Sequence, residues 1–217
     1  MRHQATDYAA DMARYFDVHP VNPQPRAIAQ VAAMLADDAL IAYPTDSCYA
    51  LGARIGSPDG IARIKRLRNL DDHHHFTLVC ADLGQLSHFV HLSNPVFRAI
   101  KAATPGPYTF ILPATKDVPR RLAHVKQRTV GVRIPDHPVV HSLLQAHGAP
   151  LLSSTLLLPG EAEPMTDGWT IKETLDSVVD AVIDAGDCGT EPTTVVDWSG
   201  GFPVIARVGA GDPEPFE

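Results

Sequence analysis

Apolar residues recur along the chain in two periods. Over Arg26–Asp37 (RAIAQVAAMLAD), Ile28, Val31, Ala32 and Leu35 fall at helical spacing, which predicts an amphipathic helix. The same spacing predicts a helix over Pro58–Asn69 with Ile61, Ile64 and Leu67 on one face, and another over His137–His147 with Val140, Leu143 and Leu144. Pro95–Ala103 and Ile171–Val179 also read as helices. Short apolar runs bounded by turn residues predict strands at Ala39–Tyr43, Tyr49–Ile55, Phe76–Cys80, Tyr108–Leu112, Thr129–Ile134, Leu151–Ser154, Ala181–Asp184, Thr193–Asp197 and Pro203–Arg207. Helices alternate irregularly with a larger number of strands. The predicted class is therefore α/β, with a mixed, twisted sheet rather than a regular doubly wound one.

Pro and Gly punctuate turns throughout and mark no single hinge, so residues 25–212 read as one domain. Residues 1–24 are polar and Pro-containing near HPVNPQP, and read as an N-terminal arm. With 217 residues the chain can bury roughly 70 % of its unfolded surface. Cys48, Cys80 and Cys188 are widely spaced and form no CxxC, which argues against a disulfide scaffold or zinc ribbon and fits a reducing cytoplasm. No apolar run approaches the roughly 20 residues that span a bilayer, and the first residues lack the apolar stretch of a signal peptide. The expectation is a cytoplasmic protein without a membrane partner. Trp169 and Trp198 read as packing residues.

Charge changes the picture. The formal net charge of −7 averages over an asymmetry: Arg54–Arg133 carries 13 Lys and Arg against 5 Asp and Glu, a local balance of +8. The basic residues come in groups, notably Arg63, Lys65, Arg66 and Arg68, then Lys116, Arg120 and Arg121, then Lys126, Arg128 and Arg133. Such a segment between acidic ends predicts a positive face that attracts an anion. For Lys65, Arg66 and Arg68 there is a plainer reading, favourable charge at the negative end of a helix dipole.

The familiar nucleotide and hydrolase signatures are missing: no Walker A loop, GxGxxG, GxSxG or HExxH occurs. His73-His74-His75 reads as a polar loop, since adjacent side chains diverge and seldom converge on one ion; no metal site is predicted. More informative are hydroxyls and arginines at strand ends. They occur at the PTDS turn, in TPGPYT, in GVRIP, at Ser153–Thr155 and in PTTVVD, and strand ends are where open α/β sheets place ligands.

In this order the segments YPTDSCYALG, RIKRLR, FTLVC, TPGPYTFIL, VGVRIPDHP, LLSSTLLLPG, PTTVVD and PVIARVGAG resemble the YrdC-like family from about Ile41 to Gly211. FTLVC, TPGPYTFIL, VPRRL and PTTVVD are most similar to its YciO branch. The resemblance implies a twisted mixed sheet with flanking helices around a concave, positively charged cleft. It implies an L-threonylcarbamoyladenylate synthase, a nucleotidyltransferase that converts L-threonine, bicarbonate and ATP (with Mg²⁺) to threonylcarbamoyl-AMP and pyrophosphate for the t6A modification of tRNA. The alternative is a tRNA-, rRNA- or double-stranded-RNA-binding protein without synthase activity, motivated by the basic middle and by RNA-binding relatives. A third reading is an enzyme acting on a different nucleotide or carbamoyl compound.

The resemblance also implies site roles. Arg66, Arg68 and Lys65 would be the catalytic cations, Arg68 gripping the threonine carboxylate and Arg66 the triphosphate. Thr45, Tyr49, Thr77 and Thr193 would line the threonine side. Thr109, Arg133, Pro135, Ser153, Thr155, Thr194 and Arg207 would line the nucleotide and phosphate side. One position departs from the pattern. Where family synthases carry Ser-x-Asn, this chain has Thr155-Leu156-Leu157, which keeps a hydroxyl and loses the amide. A further departure puts Arg rather than Lys first in the basic pair. An amide lost from a phosphate site costs about 1–3 kcal/mol, so reduced synthase activity is expected.

Overall fold

The computed structural model describes residues 12–71, 76–124 and 126–217. The His73–His75 reading lies outside them. Among the described residues ten strands form one sheet: β1 (Arg14–Asp17), β2 (Ile41–Tyr43), β3 (Ala50–Arg54), β4 (Thr77–Val79), β5 (Tyr108–Pro113), β6 (Thr129–Arg133), β7 (Leu151–Thr155), β8 (Ala181–Asp184), β9 (Thr194–Asp197) and β10 (Val204–Arg207). Six helices flank it: α1 (Pro25–Ala36), α2 (Pro58–Arg68), α3 (Leu83–Phe89), α4 (Asn94–Ala103), α5 (Pro138–His147) and α6 (Gly168–Leu175). The strand order is β1-β8-β2-β3-β7-β4-β6-β5-β9-β10. The pairs β1–β8, β2–β8, β4–β6 and β5–β9 are parallel and the remaining neighbours antiparallel, so the sheet is mixed.

The stretch read as an N-terminal arm is corrected here in its second half. Arg14–Asp17 pair in register with Ala181–Asp184, and Phe16 and Val18 are buried against α1 and β8 residues. A four-residue strand of sequence RYFD carries too few apolar positions to stand out before its partner is known. Helix α3 was likewise unpredicted: with seven residues it holds one fully buried side chain, Leu86.

The two faces of the sheet are buried differently. One face, carrying Leu51, Leu78, Phe110, Val132, Leu152 and Val196, joins a core with residues of α2, α4 and α6, such as Ile61, Ile64, Ile100 and Ile171. The other face carries Ile41, Tyr43, Val79, Leu151 and Ile183, and packs on α1 and α5 through Val31, Leu35, Val140 and Leu144. Strand side chains alternate between faces, so register assigns each residue. Thr77 shares the α1/α5 face with Val79, and Ser153 shares it with Leu151. Cross-strand partners Gly131, Ile111 and Val195 follow by the pairings Thr77–Gly131, Ile111–Gly131 and Thr109–Val195. On β4, β6, β5 and β9 this face is thus built of hydroxyls, a glycine and small apolar residues, and a cleft opens there.

Helix α2 carries the basic run to the rim of that cleft. Ser57 caps its start, accepting from the Gly60 N–H at 3.0 Å, and Pro58 occupies the first turn. Asn69 ends it in the left-handed conformation with φ of 52°. Gly60 allows a close approach to β3, because a Cβ there would lie 2.6 Å from the Ala53 Cβ.

Candidate functional site

The cleft holds a cavity of about 270 Å³. Its floor includes Thr77, Thr109, Gly131 and Ser153; a Cβ on Gly131 would stand 3.0 Å from the Thr77 hydroxyl and narrow it. Thr109 and Thr193, neighbours across β5 and the start of β9, share a hydroxyl hydrogen bond of 2.9 Å. Ser153 is fixed between the Tyr43 hydroxyl (2.7 Å) and the Leu51 carbonyl, to which it donates at 3.1 Å.

Three guanidinium groups line the cavity. Arg68 donates from Nη1 to the Ser154 hydroxyl at 2.6 Å and from Nε to the Leu157 carbonyl at 3.2 Å. Arg207 donates from Nε and Nη2 to the Thr193 carbonyl at 3.0 and 2.8 Å, and from Nη2 to the Thr193 hydroxyl at 3.2 Å. Arg133 is paired with Asp46, which stands behind it outside the cavity lining. Desolvation lowers the pKa of Arg68, and the nearby Arg207 charge adds to the effect. Desolvation is also the main cause of a lowered pKa at Arg207. Among the described residues neither Arg68 nor Arg207 forms an ion pair with a carboxylate, and no carboxylate lines the cavity. Two partly desolvated guanidinium groups lacking counter-ions are suited to bidentate binding of carboxylate or phosphate. Cys48 lines the cavity too, but burial pushes its thiol up to about 11, so it stays protonated near neutral pH.

Of the residues expected at the site, the cavity brings together Arg68, Thr77, Thr109, Arg133, Ser153, Thr155, Thr193 and Arg207. The others stand elsewhere. Tyr49 falls on the opposite face of the sheet by strand alternation, fully buried, its hydroxyl donating to the Gly186 carbonyl at 3.1 Å. Thr194 is turned from the cleft for the same reason, donating to the Gly211 carbonyl. Thr45 closes its own turn, donating to the Cys48 carbonyl at 2.7 Å, and lines an adjoining cavity. Arg66 is exposed and outside the lining, because residues two apart on a helix lie about 200° apart around the axis. Lys65, one turn back from Arg68, is also outside it. Pro135 is buried beyond the end of β6, outside the lining.

Sequence reasoning gave no role to Ser47, Cys48, Ala50 and Ser154, which line the cavity beside residues it named, nor to Thr190 and Pro192 after β8. Their signal was adjacency: Ser47 follows the PTD turn, and Ser154 lies between two residues already chosen. No group of three or more His, Cys, Asp or Glu able to hold a metal ion occurs among the described residues.

Fold and site together define an α/β protein with a cleft lined by arginines and hydroxyls on an open sheet face. The comparisons narrow this class. The profile of the Sua5/YciO/YrdC family, which carries the description "Telomere recombination", matches residues 33–209. The chain is 46 % identical over 205 residues to YciO of Escherichia coli K12, covering 94 % of this chain and all of that protein. The crystal structure of E. coli YciO superposes with a TM-score of 0.92 over 95 % of this chain and 100 % of that one. This chain is 30 % identical over 197 residues to threonylcarbamoyl-AMP synthase of Bacillus subtilis 168, covering 88 % of this chain and 55 % of that enzyme. At 24 % identity, the fold of P. abyssi Sua5, crystallised in complex with L-threonine, superposes with a TM-score of 0.82 over 90 % of this chain and 57 % of that one. The chain belongs to the Sua5/YciO/YrdC family.

Proposed function

We propose that this protein forms threonylcarbamoyl-AMP from L-threonine, bicarbonate and ATP. The observation that carries the reading is the pair Arg68 and Arg207 at one cavity, two guanidinium groups free of carboxylate partners among the described residues and facing hydroxyls on the sheet. Threonylcarbamoyl-AMP synthase relatives and a Sua5 structure holding L-threonine support it.

In this reading the threonine amine and bicarbonate give a carbamate and water. A carbamate oxygen attacks the α-phosphorus of ATP, the bond to the β-phosphate bridging oxygen breaks, and pyrophosphate leaves. No covalent intermediate with the protein is needed. Catalysis then consists of holding the reactants in line and neutralising charge on the phosphates. Arg68, fixed by Ser154 and the Leu157 carbonyl, holds the threonine carboxylate. Arg207 and the Thr109–Thr193 hydroxyl pair face the nucleotide phosphates. Magnesium would come as part of the MgATP substrate and would help neutralise the phosphate charge.

Titration calorimetry with L-threonine and MgATP tests the binding half of this account. The wild type binds both. Arg68→Ala abolishes threonine binding while keeping the helix content and melting temperature of the wild type. Threonine affinity unchanged in Arg68→Ala, or no ATP binding at millimolar concentration, contradicts the proposal.

A further inference from the structure

Behind the cavity, Arg133 and Asp46 form an ion pair with both side chains 9 % exposed. Asp46 uses both carboxylate oxygens. Oδ1 takes the Nη2 donor of Arg133, and Oδ2 accepts the Asp136 N–H at 2.8 Å. Nη1 of Arg133 makes a long contact of 3.4 Å with the Ser47 hydroxyl. Nε of Arg133 is buried and has no hydrogen-bond partner among the described residues, although the side chain lines the cavity.

The turn that presents Asp46 is itself rigid. Thr45 Oγ1 donates to the Cys48 carbonyl at 2.7 Å and accepts from the Ser47 N–H at 3.2 Å. We propose that Asp46 is a positioning residue: it fixes the Arg133 guanidinium at the cavity wall so that the cation is held in place for an oxyanion oxygen of the bound ligand. This explains why Asp46 lies outside the lining yet its partner lies within it. A carboxylate is required, because Asp46 meets two donors and an asparagine amide offers a single acceptor oxygen. The inference rests on the cavity being the ligand site proposed above, and the test separates the two.

The oxyanion is either the carboxylate of L-threonine or a phosphate of ATP. Calorimetry with L-threonine, MgATP and inorganic pyrophosphate distinguishes them. The variants are Asp46→Asn, Asp46→Ala, Arg133→Ala and the double variant Asp46→Ala/Arg133→Ala. Asp180→Asn serves as control, since Asp180 pairs with Arg63 at 2.6 Å away from the cavity. In parallel, the Arg133 Nε–H resonance is followed by ¹⁵N NMR in ligand-free wild type and Asp46→Asn, assigned with Arg133→Lys.

Asp46→Asn is expected to weaken one ligand class at least about tenfold and the other less than about twofold. The double variant is expected to bind no worse than Arg133→Ala, because Asp46 acts through Arg133. The Nε–H signal is expected to broaden or exchange faster in Asp46→Asn. Should Asp46→Ala not fold, Asp46→Asn with Arg133→Ala completes the cycle. Losses that multiply in the double variant, an equal loss in Asp180→Asn, or an unchanged Nε–H signal overturn the proposal. Failure of the wild type to bind any of the three ligands overturns the proposed function, and the Nε–H signal still decides the role of Asp46.

Discussion

Leu157 sits at the cavity with two faces to its role. Its carbonyl holds Nε of Arg68, and its side chain puts an apolar group where synthases of this family are expected to present an amide. Backbone binding survives any substitution, so Leu157→Asn restores the amide and leaves the Arg68 contact in place. The variant is expected to raise the rate of pyrophosphate release by roughly 5–150-fold, matching 1–3 kcal/mol in transition-state binding. Steady-state assays of wild type and variant check this, and an unchanged or lower rate contradicts it. A second prediction concerns His137 and His147, whose pKa burial lowers from the ordinary 6.5. The unfolded chain then binds more protons than the folded one, so stability rises with pH through this range. It is complete above about pH 6.5 and is lost as pH falls toward the folded values. Melting temperature from pH 7.5 to 5.5 should fall more steeply in wild type than in His137→Gln/His147→Gln; parallel slopes contradict it. At this scale most hydroxyls and arginines of the cavity lining were legible, because such residues at strand ends have few structural reasons to gather, whereas its apolar lining was not. Tyr49 and Thr194 were misplaced because a strand reverses face at every residue, and only register shows which neighbour faces the ligand.

Among the elements, α2 links fold to site most directly. Its Ser57 cap stands more than two turns from Arg68, so the cap contributes to stability without touching the cavity. Ser57→Ala is expected to cost about 1 kcal/mol, a fall of about 2–4 °C in melting temperature for a chain of this size, with ligand affinities kept within about twofold. Calorimetric melting and titration measure the two effects; a large affinity loss at unchanged stability contradicts the assignment. Helices α1, α2, α4 and α5 were legible within about a residue because each carries several buried positions at helical spacing. Helix α6 begins at Gly168, three residues before the predicted start, because Asp167 caps it by accepting the Thr170 N–H at 2.6 Å. Strand β1 and helix α3 escaped because their burial depends on partners distant in sequence.

Across the whole molecule, the basic middle segment divides by environment. Arg54 pairs with Asp38, and Arg63 with Asp59 and Asp180, whereas Arg68 and Arg133 enter the cavity. Lys116, Arg120, Arg121, Lys126 and Arg128 are exposed between β5 and β6. The local charge excess therefore covers two of the three cavity arginines, Arg207 lying outside it, and could not say which cations face the cleft. That choice is made by sheet order, which brings β3, β7, β4, β6, β5 and β9 side by side although β7 is separated from β3 by nearly 100 residues. The alternation of strands and helices made an α/β sheet legible, while its order depends on long-range pairings that local patterns do not encode. The proposed reaction joins threonine, bicarbonate and ATP in this cleft. The direct measurement is pyrophosphate release by the purified protein with MgATP and bicarbonate, with and without L-threonine, in wild type and Arg68→Ala. Threonine- and bicarbonate-dependent release that is lost in Arg68→Ala is the predicted result; no threonine-dependent release from folded, ATP-binding wild type would contradict it.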